Sequence, residues 1–226
     1  MIRAVIFDFD GVIANSEPLH FAAFRDILEQ QDIAFSEPQY YASYLGYDDA
    51  GVFRAVADDR HVTWDAEAIA ALVERKAERL AAIEHEHSML FPGAVAAIER
   101  LAAVFPLAIA SGALKAEILR VLQRHQLTRH FRAIVAAEDT PASKPAPDPY
   151  LRAVAWLSAA IGEPLAGAEC VAVEDSRWGL ESARAAGLHT IGITHSYPAS
   201  ALAAADLVIA DLNALTPATV RTFGLD

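Results

Sequence analysis

The sequence predicts an α/β fold, a doubly wound parallel sheet with an inserted block of helices. Three observations predict it. Six short apolar runs, at 4–7, 107–110, 133–137, 170–173, 190–193 and 207–210, are continuous and do not alternate with polar residues. Strands buried on both faces of a parallel sheet have this pattern. Segments with helical spacing separate the later runs, so strand and helix alternate. Between 16 and about 88 that alternation stops, and only helical patterns remain.

The first run, "AVIF", leads straight into Asp8-Phe9-Asp10-Gly11. Carboxylates at the end of a buried run are costly unless a charged group meets them. The helical block comes next. "PLHFAAFRDILEQQ" sets Leu19, Phe24, Ile27 and Leu28 on one side, and "DAGVFRAVADDR" and "DAEAIAALVERKAERLAAIEH" supply two more helices. A helical block between the first and second strands reads as an inserted helical subdomain over 16–88, with the core formed by 1–15 and 89–226. Pro18 and Pro92-Gly93 mark breaks near the two crossings. Tyr40, Tyr41, Tyr44 and Tyr47 read mainly as packing within this subdomain, and His85 and His87 as a solvated helix end. Beyond the block, Val95, Ile98, Leu101 and Ala102 share one helical face, as do Leu114, Ile118, Leu119, Leu122 and Leu127. The segment 179–187 ends in a glycine suited to a helix C-terminus.

At 226 residues, the chain is long for one domain and short for two full-sized ones. Its net charge of −12 disfavours nucleic acid and anionic membranes as partners, because few cations are available to displace phosphate counterions. Cys170 is the only cysteine, so no internal disulfide forms, and its apolar surroundings make it a buried hydrophobe. No signal pattern opens the chain and no apolar run reaches bilayer length. The expectation is a cytoplasmic protein, a monomer or weak homodimer.

In open α/β sheets ligands bind beyond the carboxyl ends of the strands. The first run ends at Asp8 and Asp10, the second at Ser111-Gly112, and the fourth at Glu174-Asp175; the third is followed by "SKPAPDP" with Lys144. Four strands thus deliver carboxylates, a hydroxyl and a lysine to one sheet edge. Clustered carboxylates repel one another and call for a hard cation. Oxygen ligands that leave room for water and phosphate suit Mg2+. Ser111, the amides near Gly112 and Lys144 suit a phosphoryl group, and the prolines around Lys144 stiffen its loop. The set fits phosphoryl transfer, with one carboxylate as nucleophile and another as acid and base.

These residues resemble a known family. "DFDGVIANSE" is similar to the haloacid-dehalogenase-superfamily signature DxDG(V/T)xxDSE, and "IASGA", "SKPAPDP" and "VEDSRWGLESARAAG" resemble its later motifs in the same order. The helical insert resembles the cap of the branch containing β-phosphoglucomutase and phosphoglycolate phosphatase. The resemblance implies a Rossmann-like core. It makes Asp8 the nucleophile and Asp10 the general acid and base. Ser111, Gly112 and Lys144 would hold phosphate. Mg2+ would be bound by Asp8, the Asp10 carbonyl, and Glu174 and Asp175 directly or through water. Asn15 departs from the usual aspartate.

Four functions compete. The leading reading is a Mg2+-dependent phosphatase of a small phosphorylated metabolite, of sugar phosphate or phosphoglycolate type. The second is a sugar phosphomutase. Asp49 stands where that branch is expected to carry a phosphate-binding arginine, with Arg54 one turn on as a substitute, and His20 and Lys76 fall at its cap and hinge positions. A metal-free dehalogenase conflicts with Asp10 and the metal carboxylates. A non-catalytic phosphate-binding module has no need of a water-excluding cap.

Overall fold

The first apolar run forms β1, Ala4–Phe7, with every residue buried. The other runs form β2 (Leu107–Ala110), β3 (Phe131–Val135), β4 (Cys170–Glu174), β5 (His189–Ile193) and β6 (Leu207–Ile209). All pairings are parallel, in the order β3-β2-β1-β4-β5-β6. This computed structural model describes residues 1–44, 47–86 and 89–224; His87 and the side chain of His85 fall outside the described residues. The chain divides into two compact units. One comprises Met1–Asn15 with Leu90–Asp226, the other Ser16–Met89.

β3 begins and ends two residues earlier than the apolar run suggests. Its burial alternates, with Arg132 exposed, because β3 lies at an edge of the sheet. Ala137, expected in the strand, instead opens a short 3-10 turn. Polar residues at an edge are compatible with a strand, and the apolar run alone misses them.

The helical unit contains α1 (Glu17–Glu29), α2 (Asp49–Arg60) and α3 (Ala66–Glu86). Phe21, Phe24, Ile27 and Leu28 of α1 meet Val52, Phe53 and Val56 of α2 and Ile69 and Leu72 of α3 in one core. Phe24 and Phe53 stack edge to face at 5.3 Å. Tyr40 and Tyr44 join this core, with their hydroxyls donating to Glu17 and Asp59 at 2.7 and 2.5 Å. A buried tyrosine needs such a partner for its hydroxyl. Tyr41 and Tyr47 are exposed. Asp48 caps α2 by accepting from the Gly51 amide at 2.6 Å. Among the described residues, no helix is long and apolar enough to cross a membrane.

The sheet unit adds α4 (Ala94–Ala102), α5 (Lys115–Arg124), α6 (Asp148–Ile161), α7 (Arg177–Ala185) and α8 (Pro217–Arg221). Tyr150, Ala153 and Leu157 of α6 and Ala183 of α7 pack with Ala4 and Ile6 of β1, Ala108 and Ala110 of β2, and Ala172 of β4. The alanine-rich strands let α6 come close to the sheet. α7 ends before Gly187, whose φ of 81° suits a residue lacking Cβ.

Two helical faces are rotated from the expected ones. α4 buries Ala94, Ala97, Ile98 and Leu101, so Val95 lies off that stripe and is 38% exposed. Leu114 is exposed because it precedes α5 in extended backbone, while Ile118, Val121 and Leu122 form the buried stripe. Leu101→Ala should therefore cost roughly 2–5 kcal/mol, as for other buried leucines. Val95→Ala should stay within about 0.5 kcal/mol, as for other surface changes. Urea denaturation of both variants against the parent measures the contrast.

Candidate active site

The register of the central strands sets the site. Phe7 pairs with Ile109 on one side and Val173 on the other. The next residue of β1's path, Asp8, therefore leaves the sheet beside Glu174, and its amide donates to the Val173 carbonyl at 2.9 Å. Ser111 follows β2 on the other flank, is buried, and donates its amide to Val135. Its Oγ accepts from the Ala113 amide at 3.0 Å, which leaves the hydroxyl hydrogen available to donate. A Cβ on Gly112 would meet nothing within 4 Å.

Lys144 joins the two central strand ends. Its Nζ lies 2.7 Å from Asp8 Oδ1 and 2.6 Å from Glu174 Oε1, and its side chain is 13% exposed. Asp8 Oδ1 also accepts the Phe9 amide at 2.7 Å. Glu174 is fully buried. Its Oε1 accepts a second bond, from Tyr150 Oη at 2.8 Å, and its Oε2 accepts from Ser176 Oγ at 3.3 Å. Ser176 also caps α7 by accepting from the Gly179 amide. Burial and the nearby Glu174 charge push the Tyr150 hydroxyl pKa well up, so it stays a donor.

Asp8, Glu174 and Asp175 each bring an oxygen within 4.8 Å of the others. Three buried carboxylates face one lysine there. Burial, then the charge of Glu174, raises the Asp8 pKa well above its ordinary value, against the opposing pull of Lys144. The same two causes raise Asp175 to about 6, opposed first by a hydrogen bond from Ser196. Burial alone would lower the Lys144 pKa, but the charges of Asp8 and Glu174 outweigh it and raise it. The lysine stays cationic, and three buried acids share its single charge. An all-oxygen set with excess charge fits a hard divalent cation.

Two glycines make room for these acids. A Cβ on Gly179 would sit 1.9 Å from the Glu174 carboxylate, and one on Gly11 would sit 1.9 Å from Asp175 Oδ2. Gly11 also has a φ of +77°, in the left-handed region that suits glycine. Asp10, just before it, is exposed and forms a bridge with Ala14.

The expected site residues thus fall into distinct groups. Asp8, Lys144, Glu174 and Asp175 come together. Ser111 and Gly112 lie at the neighbouring strand end, and Asp10 lies on the turn after Asp8. In the helical unit, Lys76 is 1% exposed, with its Nζ 2.7 Å from Asp49 Oδ1 and 3.0 Å from His20 Nδ1. Its ammonium lies 4.6 Å from the centre of the Phe24 ring. Arg54, exposed on α2, is not part of this trio.

Sequence reasoning missed Tyr150, His195 and Ser196. Tyr150 follows Pro149 at the start of α6, where its spacing reads as core. His195 and Ser196 follow the fifth strand, but no carboxylate there marks them as part of a site.

The family described as haloacid dehalogenase-like hydrolase matches residues 5–193. Protein CbbY of Rhodobacter capsulatus is 32% identical, over 94% of this chain and 95% of its own. Hexitol phosphatase B of Escherichia coli is 32% identical over 84% and 82%. Beta-phosphoglucomutase of Bacillus subtilis is 27% identical over 95% and 92%. Among solved structures, CbbY from Rhodobacter sphaeroides in complex with phosphate superposes with a TM-score of 0.73, at 26% identity, over 97% of this chain and 99% of that one. The chain belongs to the haloacid dehalogenase-like hydrolase family.

Proposed function

We propose that this chain is a Mg2+-dependent phosphomonoesterase that hydrolyses a small phosphorylated metabolite through an aspartyl phosphate on Asp8. One observation carries the reading. Lys144 bridges Asp8 and Glu174 at 2.7 and 2.6 Å, with Asp175 in the same cluster. A lone acidic turn has no such partner.

Asp8 Oδ1 is engaged by the Phe9 amide and Lys144, so attack on phosphorus falls to Oδ2. The Asp8–phosphorus bond forms as the bond from phosphorus to the leaving oxygen breaks. Asp10 gives its proton to that oxygen. Asp10 then takes a proton from water, the water oxygen bonds to phosphorus, and the Asp8 carboxylate is released with inorganic phosphate. Lys144, the Ser111 hydroxyl and the Gly112 amide hold the phosphoryl oxygens during both transfers, and positioned charge of this kind supplies most of the catalysis. Asp8, Glu174, Asp175 and the Asp10 carbonyl would hold Mg2+, which would neutralise phosphoryl charge when bound.

Two variants and one chelation test the reading. Asp8→Asn should abolish release of nitrophenol from p-nitrophenyl phosphate, because an amide keeps the shape and loses the nucleophile. Asp10→Asn should slow it by roughly 10^2- to 10^4-fold, the usual loss for one general acid or base. Excess EDTA should remove activity and added Mg2+ should restore it. Activity surviving Asp8→Asn or EDTA would sink the mechanism.

Substrate choice is assigned to the helical unit, and there the charge favours hydrolysis over phosphomutase chemistry. A mutase must retain a bisphosphate, and the Lys76 charge is met by Asp49 at 2.7 Å. With β-glucose 1-phosphate and a catalytic amount of the 1,6-bisphosphate, release of inorganic phosphate should outrun formation of glucose 6-phosphate. Efficient isomerisation with little phosphate released would reverse the choice.

A further inference from the structure

We propose that His195 and Ser196 form a positioning pair. On the hydrolase reading above, it holds the Asp10–Gly11 turn and the Asp175 carboxylate in register with each other. Strand order makes this possible. β5 lies beyond β4, and β4 lies beside β1. The segment after β5 passes the end of β4 to reach the turn after β1. Its start is tied to β6 by the Thr194 amide, which donates to Ile209 at 3.1 Å.

His195 Nδ1 lies 3.0 Å from the Gly11 carbonyl oxygen. A carbonyl only accepts, so Nδ1 carries the hydrogen and donates. The imidazole stacks on Phe91, with ring centroids 3.9 Å apart and planes 18° apart. The Phe91 amide donates to the Ile13 carbonyl at 3.0 Å, so the ring that supports His195 is itself fixed to the far side of the same turn. One residue on, Ser196 Oγ shares the space beside Gly11 with Asp175 Oδ2, which lies 1.9 Å from where a Cβ on Gly11 would sit, so its hydroxyl is placed to donate to that carboxylate. Its Oγ also lies 2.8 Å from where a Cβ on Gly11 would sit. Two consecutive side chains therefore hold two separate parts of the cluster: the turn carrying Asp10 and the acid following Glu174. A histidine that merely satisfied a loop carbonyl would need neither the stacked ring nor the adjacent serine on Asp175.

The test separates donor from bulk. His195→Phe keeps a ring for Phe91 and loses the donor. His195→Asn loses the ring and keeps an N–H near the place of Nδ1. His195→Phe should lower kcat for p-nitrophenyl phosphate by about 10-fold with KM changed less than about 2-fold, and His195→Asn should recover most of that loss. Ser196→Ala should weaken Mn2+ binding by about 10-fold, at the low end for removal of a ligand's hydrogen-bond partner, and Ser196→Thr should bind as the parent does. Mn2+ binding is read by the loss of the free-ion EPR signal, which needs no turnover. Wild-type kcat in His195→Phe, or equal loss in Phe and Asn variants, would overturn the role of His195. Wild-type Mn2+ affinity in Ser196→Ala would overturn that of Ser196. If the parent hydrolyses no phosphomonoester, the hydrolase reading fails by itself, and the Mn2+ titration still decides for or against Ser196. Ser196 is exposed, so its alanine variant does not depend on repacking a core.

Discussion

Lys144 stands between the ends of β1 and β4, within 2.7 Å of Asp8 and 2.6 Å of Glu174. Without it, two buried carboxylates would leave adjacent parallel strands side by side with nothing to offset their charge. Breaking a buried pair by removing one partner typically costs about 3–5 kcal/mol, because the remaining charge is stranded. Around this contact the neighbouring residues fit as consequences. Glu174 has no solvent, so Tyr150 and Ser176 supply further donors. Gly179 lacks a side chain because Glu174 fills that space, and Gly11 because Asp175 does. One lysine still leaves three acids undercompensated, and burial together with that deficit raises the pKa values of Asp8 and Asp175. A proton or a divalent cation can meet it. On the proposed mechanism, the cation rather than the proton leaves Asp8 an anion able to attack.

The helical unit solves a related problem differently. Lys76 is as deeply buried as its aromatic neighbours, and an isolated buried ammonium would be strongly disfavoured. Asp49 supplies the opposite charge, His20 a ring nitrogen, and Phe24 the face of its ring. Among the described residues, the lysine of this trio is paired with one carboxylate, that of Asp49, whereas Lys144 is outnumbered. The balanced cluster needs no external ion. The outnumbered one has negative charge left over, which fits the site proposed at the strand ends.

Much of this was legible in the sequence because parallel sheets constrain where residues go. A continuous apolar run must lie between neighbours, and a charge directly after it must emerge at the carboxyl edge. That reasoning reached Asp8, Glu174 and Asp175, and the stiff proline-flanked loop reached Lys144. It fixed the class of β3 but missed its bounds, since the polar Arg132 lies within an edge strand. It misjudged Val95 because alanines fill the buried stripe of α4, and small residues give periodicity little contrast. Tyr150 was invisible for another reason. Its spacing on α6 marks a core position, and only the three-dimensional register reveals that its hydroxyl reaches Glu174.

His195 and Ser196 show where local reading stops. Their run ends in Thr-His-Ser, with no carboxylate to mark it as part of a site. Strand order gives the pair its meaning, because β5 flanks β4 on the side away from β1 and its exit must cross the acidic end to reach Gly11. A sheet built in another order from the same strands would carry this dipeptide elsewhere. The acids to which the proposed function gives the chemistry are set by the first residues past each strand end. The residues that hold those acids in place are set by which strands are neighbours. Charge can be read along a chain, whereas neighbourhood belongs to the fold, so positioning residues are the ones a single sequence conceals.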